Sequence, residues 1–144
     1  MKIAVKKKFT FFFQYKTKKI AEIIICIPAY SEGKEAFLNT IGSIVDSDYP
    51  HDKLYMFFII DGNRGNSFQH CLSILNPDFK GTPKPNERAI EHGSYKGIGY
   101  SVFLKEQNRG KRDSQWLFVE LLRNIIPQFK PPFVFVNNFF STFF

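Results

Sequence analysis

The segment Asn108-Arg109-Gly110-Lys111-Arg112-Asp113-Ser114-Gln115 places two adjacent cations beside a glycine, immediately ahead of an apolar-periodic stretch. Lys and Arg neutralise diphosphate oxygens, and Arg does so through two parallel hydrogen bonds. Asp113 and Ser114 are residue types that suit the N-cap region of a helix. Gly110, Lys111 and Arg112 are therefore candidate ligands for a nucleotide diphosphate held against a helix start, with Asp113 shaping that start. The same composition also describes a solvated basic loop. It is not a Walker A loop, because Lys111 is followed by Arg112, not Ser or Thr, and Lys105 stands where the first glycine belongs.

Two further candidates lie upstream. Asp61 follows the apolar run Met56 to Ile60 and precedes Gly62. A carboxylate at a strand end can accept hydrogen bonds from a uracil or a ribose, and a glycine after it lets the backbone turn tightly beside a ligand. Asp-Gly is also an ordinary turn dipeptide. Tyr30 and Glu32, after Pro28, can stack on and hydrogen-bond a base, though singly they read as loop residues. Other chemistry is unsupported. There is no GxGxxG, and His51, His70 and His92 lack metal-ligand spacing with the cysteines. Asp46-Ser47-Asp48 spells a metal-binding D-x-D, but its place before a strand reads as a helix-end loop.

The elements that position these residues follow from periodicity. Ile20 to Ile27 and Leu54 to Ile60 are short apolar runs that read as buried strands, and Ile98 to Leu104 reads as a third. Phe37, Ile41, Ile44 and Val45 share one face of a helix, and Ser67 to Leu75 forms a second, short amphipathic helix. Asn76 to Gly97, with its Gly, Pro and charges, reads as an irregular insertion. Asp113 to Ile126 is predicted as a helix with Trp116, Val119, Leu122, Arg123 and Ile126 near helical spacing. Phe133 to Val136 is a candidate fourth strand. Alternating strands and helices specify an α/β fold: a mostly parallel sheet with helices on both faces. Ligands of such sheets bind at the carboxyl ends of the strands, where Tyr30, Asp61 and Gly110 all fall.

The 144 residues suffice for one domain with a core. The net charge of +7 is uneven. Residues 1–19 carry seven lysines and no acid, and the other 13 basic residues balance 13 acids. The expected organisation is a basic N-terminal arm, 1–19, and a neutral globular part, 20–144. The arm, interleaved with Phe and Tyr, suits an anionic membrane surface or RNA. The neutral remainder, with no RNA motif, makes nucleic acid an unlikely partner. Two cysteines, Cys26 and Cys71, form no disulfide framework and suit a reducing compartment. No apolar run reaches the roughly 20 residues of a membrane span.

Three strings resemble the chitin synthases, processive family 2 glycosyltransferases. IPAYSEGKEAFLNTIGSIVDSDYP is similar to the family's opening strand, Pro-x-Tyr-x-Glu-Gly and amphipathic helix. KLYMFFIIDGN is similar to its second strand with Asp-Gly, and NRGKRDSQ is the most specific of the three. The resemblance covers about Ile23 to Ile126, with Asn76 to Gly97 loosely matched. It implies a glycosyltransferase A fold, here incomplete. It also implies transfer of N-acetylglucosamine from UDP-N-acetylglucosamine to a β-1,4 chain, with Mg or Mn, at a plasma membrane with the catalytic domain on the cytoplasmic side. By position, Pro28, Tyr30 and Glu32 would line the uridine pocket, and Asp61 with Gly62 would hold the uracil or ribose. Lys111 and Arg112 would lie by the nucleotide beside Gly110, and Asp113 would hold the loop.

The sequence departs from the family where transfer chemistry is expected. The metal-binding Asp-x-Asp should follow the fourth strand, and Asn137-Asn138 stand there instead. Neutral amides bind Mg or Mn poorly beside a diphosphate. No Glu-Asp pair supplies a general base, and Gln-x-x-Arg-Trp is missing. The expectation is a UDP-binding half with no metal site and no catalytic residue of its own, inactive alone. Its expected partners are a UDP-sugar, the rest of a chitin synthase or a membrane surface. The alternatives are a non-catalytic remnant that binds nucleotide or a partner, and another processive sugar-nucleotide transferase.

Overall fold

The computed structural model describes residues 20–84, 87–107, 110–125 and 134–137. The basic arm, Asn108, Arg109, Ile126, Phe133 and Asn138 lie outside the described residues. Strands β1 (Ile23–Ala29), β2 (Leu54–Ile60), β3 (Ala89–Tyr95), β4 (Ile98–Leu104) and β5 (Val134–Asn137) form one sheet in the order β3-β4-β2-β1-β5. All neighbours are parallel except the β3–β4 pair. Helices α1 (Lys34–Val45) and α2 (Ser67–Leu75) cover one face, and α3 (Lys111–Ile125) packs on the other.

Alternation along the strands assigns each side chain to a face. Met56, Phe58 and Ile60 on β2 and Val102 and Leu104 on β4 meet Phe37, Ile41 and Ile44 of α1 and Phe68, Cys71 and Leu72 of α2. The intervening Phe57, Ile59 and Phe103 join Ile24, Cys26 and Phe118 of α3 in a second, smaller core. The Phe57 and Phe118 rings meet edge to face with centroids 5.4 Å apart, a favoured aromatic geometry.

Four sequence expectations are corrected. First, β1 begins at Ile23 and continues through Pro28 to Ala29, where Ile20 to Ile27 was expected. The carbonyl of Ala29 accepts from the Asp61 amide at 2.7 Å, so Ala29 turns its polar groups toward β2. Pro28 therefore turns its ring nitrogen the other way, beyond the Cys26↔Asn137 pair that ends the β1–β5 register. A proline is tolerated there because no ladder hydrogen bond is lost. Second, the supposed irregular insertion holds β3, which pairs antiparallel with β4 from Ala89↔Leu104 to Tyr95↔Ile98. Its sequence, AIEHGSY, is that of a polar edge strand and carries no apolar run. Lys96 (φ 49°) and Gly97 (φ 82°) close the hairpin, the left-handed pair that a two-residue turn requires.

Third, α3 starts two residues before Asp113, at Lys111. Fourth, it presents a different face from the one expected. Ser114 and Phe118 are buried, with Leu117 and Leu121 packed against the sheet, while Trp116 is 65% exposed and Val119 40%. Apolar residues occur at two overlapping helical registers in this segment, and Phe118 fits the space beside Phe57.

Two of the three histidines, His51 and His92, make hydrogen bonds that link elements of the fold. His51 brackets two backbone carbonyls, Val45 O at 2.9 Å and Lys96 O at 2.8 Å, and so links the end of α1 to the hairpin. His92 Nδ1 lies 2.7 Å from Ser101 Oγ, which lies 2.5 Å from Tyr55 Oη, a polar chain across β3, β4 and β2.

Cys26 and Cys71 are free thiols buried on opposite faces of the sheet. Burial pushes the Cys26 thiol up to about 12 and raises that of Cys71 as well. A thiol whose folded pKa is raised binds its proton more tightly in the native state. Its contribution to stability is therefore complete below its unfolded value of 9.0 and is lost as pH rises toward about 12. We expect both thiols to resist alkylation at pH 8 until the chain unfolds, and the denaturation midpoint to fall between pH 9 and 11. Alkylation of the native chain as fast as of the denatured chain would refute this.

Candidate functional site

Adjacent strand ends bring two oppositely charged side chains into register. Ile60 pairs with Leu104, so Asp61 and Lys105 are the next residues along parallel neighbours. The Lys105 amide continues the ladder by donating to the Ile60 carbonyl at 2.9 Å. By parity both side chains point to the α3 face, following Ile59 and Phe103. There Lys105 Nζ lies 2.8 Å from Asp61 Oδ1, 2.5 Å from Asp113 Oδ2 and 3.2 Å from Ser114 Oγ. The side chains of Asp61 and Lys105 are each only 6% exposed.

Asp61 also fixes the start of α3. Its Oδ2 accepts from the Gly110 amide at 2.9 Å. Gly110 has φ 86°, a conformation that favours glycine. The Ser114 amide and hydroxyl both approach the Gly110 carbonyl, at 3.2 and 3.4 Å. Lys111 and Arg112 thus open the helix, with Arg112 exposed, and Asp113 and Ser114 complete its first turn.

Gly62, with φ 77°, turns the chain away from β2. The turn Asn63–Asn66 leads into α2, and the Asn63 side chain caps it by accepting from the Phe68 amide at 3.1 Å. Ser67, fully buried, donates toward the carbonyls of Tyr30 and Glu32 at 3.3 and 3.1 Å. The Glu32 carboxylate in turn accepts from the Tyr30 amide. These bonds hold the loop after β1 against the start of α2.

A cleft of about 590 Å³ opens between these loops. Tyr30, Asp61, Gly62 and Lys105 form part of its wall, Asn63, Asn66 and Gln69 another part, and Thr82, Pro83 and Lys84 a third. Of the residues singled out from sequence, the cleft thus gathers Tyr30, Asp61 and Gly62. Glu32 braces the loop from behind. Pro28 is buried inside β1, and Arg112 and Asp113 lie outside the cleft wall. Asp113 instead borders a smaller groove of about 230 Å³ with Trp116 and Glu120. The Lys84 ammonium has no ion-pair partner among the described residues.

Sequence reasoning missed Lys105, Lys84 and Gln69. Lys105 carried a legible signal: a lysine directly after an apolar strand, parallel to an Asp in the same position. Gln69 and Lys84 carried none, since only the folded chain brings α2 and Thr82–Lys84 to the cleft.

The mostly parallel sheet with helices on both faces is a glycosyltransferase A-like α/β fold. In sequence the chain is similar to the chitin synthases. It is 30% identical to chitin synthase 6 of Mycosarcoma maydis over 82% of this chain. It is 31% identical to chitin synthase 5 of Cryptococcus neoformans var. grubii over 72%, and 29% identical to chitin synthase 1 of Encephalitozoon cuniculi over 68%. The chain spans 13%, 7% and 13% of the lengths of these relatives, so the likeness is to a segment of each. No protein-family model matches the chain. Among the described residues, no helix is long and apolar enough to cross a membrane.

Removing one partner of a buried ion pair strands the other charge. Lys105→Met is expected to lower stability by about 3–5 kcal/mol in denaturant titrations. Lys84→Ala, at an exposed position, should stay within about 0.5 kcal/mol of the parent chain. Equal effects of the two substitutions would contradict the buried-network account.

Proposed function

We propose that this chain is the donor-nucleotide-binding segment of a chitin synthase-like glycosyltransferase. In this reading it holds the UDP of UDP-N-acetylglucosamine in the cleft at the carboxyl edge of the sheet. One observation carries the proposal. The Tyr30 loop, Asp61-Gly62 and the start of α3 come from three strings resembling the same family, and they converge on one edge of the sheet.

Each residue has a chemical role in this reading. Tyr30 offers a ring face to the uracil. Asp61, at the end of β2 on the cleft wall, places its carboxylate beside the ribose. Gly62 lets the ligand approach the backbone. Lys84, and Lys111 and Arg112 at the helix start, supply positive charge for the diphosphate. Glu32 and Asp113 act through others, bracing the Tyr30 loop and holding Lys105.

Transfer of the sugar is a property proposed for the larger enzyme. A metal implied by the family would need carboxylate donors near the end of β5, and Asn137 is a carboxamide. Asp61, the buried carboxylate at the cleft, is committed to Lys105 and Gly110. These donors do not make a metal site, and no step is routed through one. The chain alone is proposed to bind nucleotide without making polymer.

Calorimetric titration with UDP and ADP tests the reading. UDP should bind and ADP bind more weakly, and Tyr30→Ala should weaken UDP about tenfold, the scale of one lost base stack. A folded chain that ignores UDP, or takes ADP equally well, would refute it.

A further inference from the structure

Gln69 is the third residue of α2, on the flank of that helix next to its buried Phe68, Cys71 and Leu72. It lines the main cleft. Its side-chain oxygen Oε1 is shut off from solvent yet has no hydrogen-bond partner among the described residues. Buried acceptors are nearly always satisfied, so one left open beside a cleft calls for a donor from outside the chain.

Several polar groups near Gln69 are engaged elsewhere. The Asn63 carboxamide oxygen is committed to the Phe68 amide. Ser67 donates toward the carbonyls of Tyr30 and Glu32. Lys105 is taken by Asp61, Asp113 and Ser114. A carboxamide offers one acceptor oxygen beside an NH₂ donor. That pattern is complementary to an N–H flanked by a carbonyl.

We propose, resting on the uridine reading above, that Gln69 is the specificity-determining residue of the cleft and that its carboxamide turns Oε1 into the cleft to accept the imide N3–H of the uracil. The adjacent NH₂ then donates to a uracil carbonyl, and Tyr30 lies against the ring from the neighbouring loop. An acetamido group on the sugar presents the same N–H and carbonyl chemistry, so the experiment separates the two sources.

The full chain is titrated calorimetrically with UDP, 3-methyl-UDP, UDP-glucose and UDP-N-acetylglucosamine, in parallel with Gln69→Ala and the size-matched Gln69→Met. The 3-methyl compound has lost the N3 proton. The parent chain should bind it about tenfold more weakly than UDP, the scale of one net hydrogen bond. Both variants should lose about tenfold for UDP and no longer distinguish UDP from its 3-methyl form. Circular dichroism melts confirm that each variant is folded, and if one is not, the other decides.

If the parent binds UDP but the variants still discriminate against 3-methyl-UDP, the role of Gln69 is overturned while the uridine reading stands. If the variants lose only a preference for UDP-N-acetylglucosamine over UDP-glucose, the donor is the acetamide and the uracil assignment is overturned. If the folded parent binds none of the four ligands, the uridine reading fails and this inference falls with it.

Discussion

The candidate site depends on one buried ammonium. Lys105 Nζ sits between Asp61 and Asp113, with Ser114 as a third partner, and is almost wholly removed from water. Taking an ammonium from water costs several kcal/mol by order of magnitude, and only close, well-directed partners offset it. Here the members of the cluster come from three places in the chain: the end of β2, the end of β4 and the first turn of α3. The ion cluster therefore acts as a joint. It fixes where α3 begins relative to the sheet, and Asp61 uses its second oxygen to hold the Gly110 amide at the same point.

The joint works because strand register places its members. Residues 57, 59 and 61 of one strand and 103 and 105 of its neighbour share a face by alternation. A slip of one residue in either strand would send its charged end residue toward the apolar core under α1 and α2. The apolar interior of β2 and β4 forbids such a slip, because Phe58, Ile60, Val102 and Leu104 are all fully or nearly fully buried on that face. Hydrophobic packing sets the register, and the register assembles the ion cluster.

Much of this was legible in the sequence. Leu54–Ile60, Ser67–Leu75 and Ile98–Leu104 are strongly periodic or continuously apolar, and the structure has them with the expected ends. The convergence of Tyr30 and Asp61-Gly62 at the sheet edge follows from α/β topology. The rest was hidden for identifiable reasons. β3 is a largely polar edge strand, with Ala89 and Tyr95 at its ends packed against the core, so it has no apolar run to reveal it, and its local cue was Gly97 in the turn that follows. In α3 the choice of buried face depended on the cavity beside Phe57, which local sequence does not encode. Lys105 was compared only with a phosphate loop it does not match. Its role is a long-range one, set by a residue 44 positions earlier.

The charge of the joint also bears on how a nucleotide would lie in the proposed site. Asp61 and Asp113 set two carboxylates against the one ammonium of Lys105, with Asp61 and Lys105 buried and Asp113 partly exposed. A diphosphate placed directly against them would be repelled, since Coulomb energies grow as water is excluded. Among the described residues, positive groups outside the joint include Lys84 on the cleft wall and Arg112 exposed at the start of α3. Tyr30 and the carboxamides of Asn63, Asn66 and Gln69 supply uncharged hydrogen-bonding groups on the wall, which also carries Glu87 and Glu106. In the proposed reading the base therefore lies against Tyr30 and Gln69, with the ribose beside Asp61. The diphosphate then points outward to Lys84 and the helix start, where cations and solvent both accommodate its charge.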